Sequence, residues 1–167
     1  YGLGVDIKLV KMADVAANYE YQLVWEIGLR YAEQNSIDES SFAAAYAYAG
    51  KELTEINAAS LDSRPQKNLS GTVDWVAMRT KYFALAIIAK EGTSDGAYLE
   101  GVHTEAANKG AIESYSVALK MPFKGAQEEG GSFRVFLGPA DLSLLKSYGV
   151  GLENIVGLGW TWLIRPI

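Results

Sequence analysis

Hydrophobic and polar positions alternate with a period of two along much of this chain. Val5, Ile7 and Leu9 alternate with Asp6 and Lys8, the signature of a strand with one face in a core. After residues 13–17 the pattern returns more strongly: Tyr19, Tyr21, Leu23, Trp25 and Ile27 share one face, while Asn18, Glu20, Gln22 and Glu26 take the other. Gly28 ends it. Further on, Tyr115, Val117, Leu119, Met121 and Phe123 alternate with more polar positions, and Phe133, Val135 and Leu137 follow after the polar stretch Lys124–Gly131. These two segments predict a long-looped hairpin, and residues 98–104 predict a weaker strand before it.

Other stretches are less regular. Residues 32–41 (AEQNSIDESS) are polar and read as a loop, as do residues 60–71, punctuated by Pro65 and Gly71. The alanine-rich stretch from Phe42 to Ala58 fits a hairpin turning at Gly50-Lys51, with a short helix as the alternative. Residues 72–90 (TVDWVAMRTKYFALAIIAK) read as one strand that changes environment. Its first half sets Val76 and Met78 against Arg79 and Lys81, and its second half is apolar on both faces, as in a strand passing from a sheet's flank to its middle.

The period then switches. Gly138-Pro139 stops the strand pattern, and proline suits the first turn of a helix. Leu142, Leu145 and Tyr148 fall on one helical face with Leu144 beside them, and Gly149 supplies a C-terminal stop. The tail carries Trp160, Trp162, Leu163, Ile164 and Arg165, a pairing of tryptophan with a basic residue that membrane interfaces favour. A last strand tucked into the core is the alternative reading. The whole predicts about eight or nine antiparallel strands and one short helix, most simply a β-sandwich.

Composition narrows the function. The 167 residues suit a single domain, and a chain of that length buries roughly 70% of its unfolded surface without staples. Net charge is −5 with no basic run, which argues against a nucleic-acid partner. Cysteine is absent, so disulfides and thiolate chemistry are excluded. The longest uncharged apolar run, Tyr82–Ala89, is under half of the roughly 20 residues a membrane helix needs. The opening on Tyr1 rather than Met reads as a piece of something longer.

Candidate chemistry is sparse. No nucleophile elbow, zinc-protease or phosphate-loop motif is present, and the glycines at 149, 151, 157 and 159 do not fit a dinucleotide fingerprint. His103, the single histidine, shares a strand face with Glu105, yet reads best as an exposed hairpin residue. Asp38-Glu39 and Glu128-Glu129 are the carboxylate pairs a sugar-cleaving sandwich would need, but both sit in predicted loops. Tyr19, Tyr21 and Trp25 read as core rather than as a ligand groove. Asn68-Leu69-Ser70 matches a glycosylation sequon that matters only in a eukaryotic secretory context. No catalytic, metal-binding or cofactor-binding residue is expected.

Two motifs carry a resemblance. WVAMRTKYFALAII (Trp75–Ile88) and the LGP-helix-GWTWLIRPI ending (Leu137–Ile167) resemble, in order and separation, the periplasmic domain of the bacterial membrane-protein insertase family YidC. The likeness covers about the last 95 residues well, while residues 1–71 fit in their β pattern alone. It implies an antiparallel β-supersandwich, related in shape to sugar-binding and galactose-mutarotase-like domains, with a short C-terminal helix. It also implies a non-catalytic domain of an insertase and chaperone on the periplasmic side of the inner membrane, whose partners are membrane-protein substrates and Sec translocon subunits. Sandwich strands would occupy 1–137 and the helix and membrane-proximal tail 138–167. The family's domain is usually longer at its N-terminus, so Tyr1 is expected to enter the fold part-way, leaving an exposed edge or groove. On this reading Pro139, Leu142, Leu145 and Tyr148 clamp the tail, and Trp160, Trp162, Leu163, Ile164 and Arg165 meet the membrane surface or a partner. A carbohydrate-binding or carbohydrate-modifying sandwich is the alternative.

Overall fold

Ten strands and two short α-helices make up the regular structure of a computed structural model that describes residues 1–59, 64–90, 93–106 and 110–156. In chain order they are β1 (Gly2–Val10), β2 (Glu20–Trp25), α1 (Ser36–Ser40), β3 (Ala44–Ala49), β4 (Glu52–Ile56), β5 (Gln66–Ser70), β6 (Trp75–Arg79), β7 (Phe83–Ala89), β8 (Gly96–Ala106), β9 (Gly110–Pro122), β10 (Glu128–Pro139) and α2 (Leu142–Lys146). A 3-10 helix, Leu152–Ile155, follows α2. A six-stranded sheet runs β1-β10-β7-β6-β3-β4 and a four-stranded sheet runs β2-β9-β8-β5, every pairing antiparallel. The expected β-sandwich is present, with more strands than the sequence predicts.

The sheets face each other across one core. Ala45, Ala47, Val76, Met78, Leu85, Ile87 and Phe133 of the large sheet meet Leu99, Tyr115, Val117, Leu119 and Met121 of the small one. The β1 and β2 alternations hold: Val5, Ile7, Tyr21, Leu23 and Trp25 pack against this core. Tyr19 and Ile27, which the same alternation places on the inner face, lie beyond the ends of β2 and are 72% and 79% exposed.

A second core lies on the far side of the six-stranded sheet. Ala44, Tyr46, Trp75, Ala77, Ala84, Ala86, Ile88 and Phe136 point away from the sandwich and are covered by Leu145, Leu152 and Ile155. The middle strands of this sheet are therefore buried on both faces, which removes the period-two signal. That explains the correction to residues 72–90. They form a tight hairpin, β6 and β7, turning at residues 80–82 with Thr80 N–H bonded to the Phe83 carbonyl at 2.8 Å. The predicted wet face of its first half does not exist, since Trp75, Val76, Ala77 and Met78 are all at most 1% exposed.

Three other segments depart from expectation, and the first is residues 128–131, read as loop, which open β10. Residues 36–40, read as loop, form α1, whose N-cap Asn35 accepts from the Asp38 amide at 3.3 Å. Residues 66–70, read as part of a loop, form edge strand β5 against β8. The Gly50-Lys51 turn of the β3–β4 hairpin is as expected, both residues taking positive φ (57° and 68°).

Candidate functional site

The segment from Ala140 to Val156 caps the outer face of the six-stranded sheet, and its sequence dictates how. Asp141 caps α2 by accepting from the Leu144 amide at 2.8 Å, and Ser147 donates its hydroxyl to the Leu144 carbonyl at 2.6 Å at the other end. Gly149 and Gly151 then take φ of +71° and +79°, the left-handed conformations that turn the chain back over the sheet. A Cβ on Gly151 would stand 3.1 Å from the ring of Tyr48, so the backbone approaches that ring as only glycine allows.

Alanines at 44, 77, 84 and 86 keep the sheet surface low beneath this cap. Leu145, Leu152 and Ile155 fill the space above them, each at most 1% exposed. Burying three such side chains stabilises the docking by about 2 kcal/mol each. Aromatic contacts fix the orientation: Tyr48 stacks on Trp75 at 5.0 Å, Phe136 meets Tyr148 edge-on at 5.2 Å, and the Arg134 guanidinium lies 5.6 Å from the Tyr148 ring centre. The Trp75 indole N–H donates to the Val150 carbonyl at 2.8 Å. Of the four residues expected to clamp the tail, Leu145 is fully buried and Pro139 and Tyr148 are half-buried. Leu142 is 45% exposed, and Leu144 takes the inner position instead. The tail residues Trp160, Trp162, Leu163, Ile164 and Arg165 lie outside the described residues.

A second group of polar side chains sits at one end of the inter-sheet core. His103 and Glu113 are direct cross-strand partners on β8 and β9, with side chains 7% and 2% exposed. The exposed-hairpin reading of His103 is thus corrected: its Nδ1 lies 3.0 Å from the Ala58 carbonyl and 3.9 Å from Glu113 Oε1. Tyr115 donates its hydroxyl to Glu113 Oε2 at 2.5 Å and accepts from the Ala58 amide at 2.8 Å. The Glu113 amide donates to the Tyr31 hydroxyl at 2.8 Å. Burial pushes the Glu113 carboxyl above the usual carboxylate range, opposed by its bond from Tyr115 and by His103. Burial likewise pushes the Tyr31 hydroxyl up to about 12 and Tyr115 above the ordinary phenol range. This cluster ties β8 and β9 to the chain at residues 31, 43 and 58.

The carboxylate pairs considered from sequence have structural partners. Asp38 bridges Lys81 at 2.6 Å, and Glu39, fully buried, accepts from the Ala32 and Glu33 amides at 2.7 and 2.8 Å. Glu128 bridges Lys8 at 2.8 Å, and Glu129 accepts from the Lys124 amide at 2.8 and 2.9 Å. Tyr21 and Trp25 pack against the inter-sheet core, and burial with the nearby Glu129 charge pushes the Tyr21 hydroxyl above the ordinary phenol range. What sequence reasoning missed is the burial of Glu39, which it placed in a loop. The one signal was Asn35 three residues before Asp38, a helix-start pattern.

Comparison with known proteins bears on this architecture. The chain matches the family described as the YidC periplasmic domain over residues 1–167. The match thus includes residues 1–71, which by sequence motif alone fit only in β pattern. The chain is 38% identical over 167 residues to the membrane protein insertase YidC of Chlorobaculum tepidum, covering 99% of this chain and 28% of that protein. With the insertases of the same name from Pelodictyon phaeoclathratiforme and Chloroherpeton thalassium the identity is 39% and 36%, with the same coverage. The chain spans little more than a quarter, 28%, of the length of these relatives. Among the described residues no helix is long and apolar enough to cross a membrane.

Proposed function

The chain belongs to the YidC periplasmic domain family, and from that premise we propose that it serves as a non-catalytic scaffold of a membrane-protein insertase. It stands on the periplasmic side of the inner membrane and assists insertion and folding of membrane-protein substrates, alone or with Sec translocon subunits. Within this single domain, residues 138–167 form the joint between sandwich and membrane. Trp160, Trp162, Leu163, Ile164 and Arg165 lie at the interfacial zone, where indole rings and a basic side chain are favoured. The α2 segment, through Leu145 and Tyr148, holds that joint to the six-stranded sheet.

The observation that supports this reading is the cap itself. The last described stretch of chain is fastened to the sheet by Leu145, Leu152 and Ile155, all fully buried, so whatever follows Val156 inherits the sandwich's position. A solvated linker would carry no such apolar side chains.

The test replaces Trp160 and Trp162 by Ala in the full-length insertase and follows insertion of a reporter membrane protein. Insertion is expected to fall while the domain keeps its thermal midpoint. Unchanged insertion overturns the role of these residues. Loss of the fold assigns the two tryptophans to the core and equally overturns the interfacial reading.

A further inference from the structure

Beside the cap, on the same outer face of the six-stranded sheet, lies a pocket of about 400 Å3 lined by Gly2, Gly4, Lys90, Arg134, Ser147 and Tyr148, with Leu3 at its margin. Strand register assembles it. Gly4, Arg134 and Ile88 form one cross-strand row, and Asp6, Ser132 and Lys90 align in the next, Lys90 N–H bonding the Ser132 carbonyl at 2.9 Å. Ile88 and Phe136 share the outer face with Arg134, so its guanidinium rises over the sheet beside Tyr148. Gly4 is the open floor: a Cβ there would meet nothing within 4 Å. Gly2 is the close wall, where a Cβ would come within 2.9 Å of the Tyr148 hydroxyl.

The donors converge in kind as well as in place. Lys90 offers an ammonium and Arg134 a guanidinium fork. Tyr148 brings a hydroxyl to the rim. Among the described residues β1 is an edge strand whose odd-numbered residues bond β10, as in Leu137 N–H to Tyr1 O at 3.0 Å and Lys11 N–H to Gln127 O at 2.9 Å. The amides of Gly2 and Gly4 therefore point away from β10, along the sheet edge, and what the two glycines give the pocket is room rather than donors. Ser147 contributes no donor, since its hydroxyl is given to Leu144. Among the described residues none of those lining the pocket is acidic and neither cation is in a salt bridge. The carboxylate in the adjoining row, Asp6, accepts from Ser132 Oγ at 2.7 Å. In a chain of net charge −5 such a two-cation pocket is a local exception.

We propose that this pocket binds a phosphate-bearing anionic group. Two cations and a tyrosine hydroxyl around an open floor suit a tetrahedral oxyanion, which offers acceptors all round, better than a planar carboxylate. A phospholipid headgroup and a free phosphate ester present the same chemistry to the pocket. The headgroup source rests on the membrane-proximal reading above; the anion site does not.

The experiment uses the 167-residue chain, isotopically labelled, titrated with inorganic phosphate, and in parallel floated with phosphatidylglycerol or phosphatidylcholine vesicles. Phosphate is expected to shift the amides of Gly2, Gly4 and Tyr148, and Arg134→Gln and Gly4→Val are each expected to weaken those shifts at least tenfold. Gly4→Val fills the floor at a position with room for a side chain, so it tests occupancy without disturbing the fold, and a thermal midpoint checks this. Arg134→Lys should restore part of the affinity. Flotation with phosphatidylglycerol alone, lost in the same variants, assigns the headgroup. Phosphate shifts without flotation assign a free phosphate ester and count against the membrane-proximal reading alone. Absence of shifts at tens of millimolar phosphate, or binding by Gly4→Val and Arg134→Gln as tight as that of the parent, overturns the site.

Discussion

The indole N–H of Trp75 donates to the carbonyl of Val150 at 2.8 Å, joining β6 to the cap across 75 positions of sequence. Trp75 is fully buried and stacked on Tyr48, so the bond is shielded from water and fixed in direction. Trp75→Phe removes the donor, leaves the Val150 carbonyl without it and opens a small void. The expected cost is about 2 to 3 kcal/mol in chemical denaturation. Amide exchange should accelerate more over residues 150–156 than over β9. A uniform acceleration would mean that cap and sandwich open only together.

Leu142 and Leu145 sit three positions apart and separate cleanly in exposure, at 45% and 0%. Leu145→Ala is expected to destabilise the chain by about 3 kcal/mol. Leu142→Ala should cost under about 1 kcal/mol. Urea midpoints of the two variants decide the matter, and similar costs would show that α2 does not turn Leu145 inward and Leu142 outward.

Gly149 and Gly151 both have positive φ, but their surroundings differ. A Cβ at 149 meets nothing within 4 Å, whereas one at 151 meets the Tyr48 ring at 3.1 Å. Gly149→Ala is expected to cost about 1 kcal/mol, the left-handed penalty alone. Gly151→Ala should exceed it, because the Tyr48–Trp75 stack must shift. Near-ultraviolet circular dichroism, altered by the second variant and not the first, is the check.

Glu113 gives the stability a pH dependence whose sign is fixed by its surroundings. Desolvation raises its folded-state pKa above the ordinary glutamate value of 4.5, against the partial opposition of Tyr115 and His103. In the window above 4.5 the folded state therefore holds more protons than the unfolded one at this site, and its contribution to stability declines as pH rises through the folded pKa. The groups that face Glu113 are His103 on β8, Tyr115 on β9 and Tyr31 before α1. Glu113→Gln keeps an acceptor for Tyr115 and removes the charge. Its denaturation free energy, measured from pH 4.5 upward, should decline less steeply than that of the parent. Parallel curves would show that Glu113 titrates alike folded and unfolded.

The strands readable from sequence were those with one wet face. β1, β2, β9 and β10 alternate because solvent lies on one side of them for much of their length. β6 and β7 could not be split by pattern: Trp75, Ala77, Ala84 and Ala86 face the cap while Val76, Met78, Leu85 and Ile87 face the sandwich, and no glycine or proline marks the turn between them. The buried environment of His103 was hidden for a different reason. Glu105 is its neighbour in sequence, but Glu113 is its neighbour in space, and that register is set by strand pairing rather than by local pattern. The helix after Pro139 was legible in its existence and in Leu145, whereas choosing Leu142 over Leu144 for the inner face required knowing how α2 rotates on the sheet.

The left-handed turns at Gly149 and Gly151 lay the cap on the sheet as a flap rather than a strand, and that sets how the molecule bears load. A pull applied beyond Val156 meets side chains arranged to let go in turn, Ile155 and Leu152 before the Val150 bond to Trp75, and Leu145 last. Such a peeling geometry yields at low force and pays out about 60 Å of chain up to Pro139 before any strand of the sandwich is strained. A single-molecule pulling trace should show that extension as a first, separate step. The cap is then a shock absorber for the sandwich behind it.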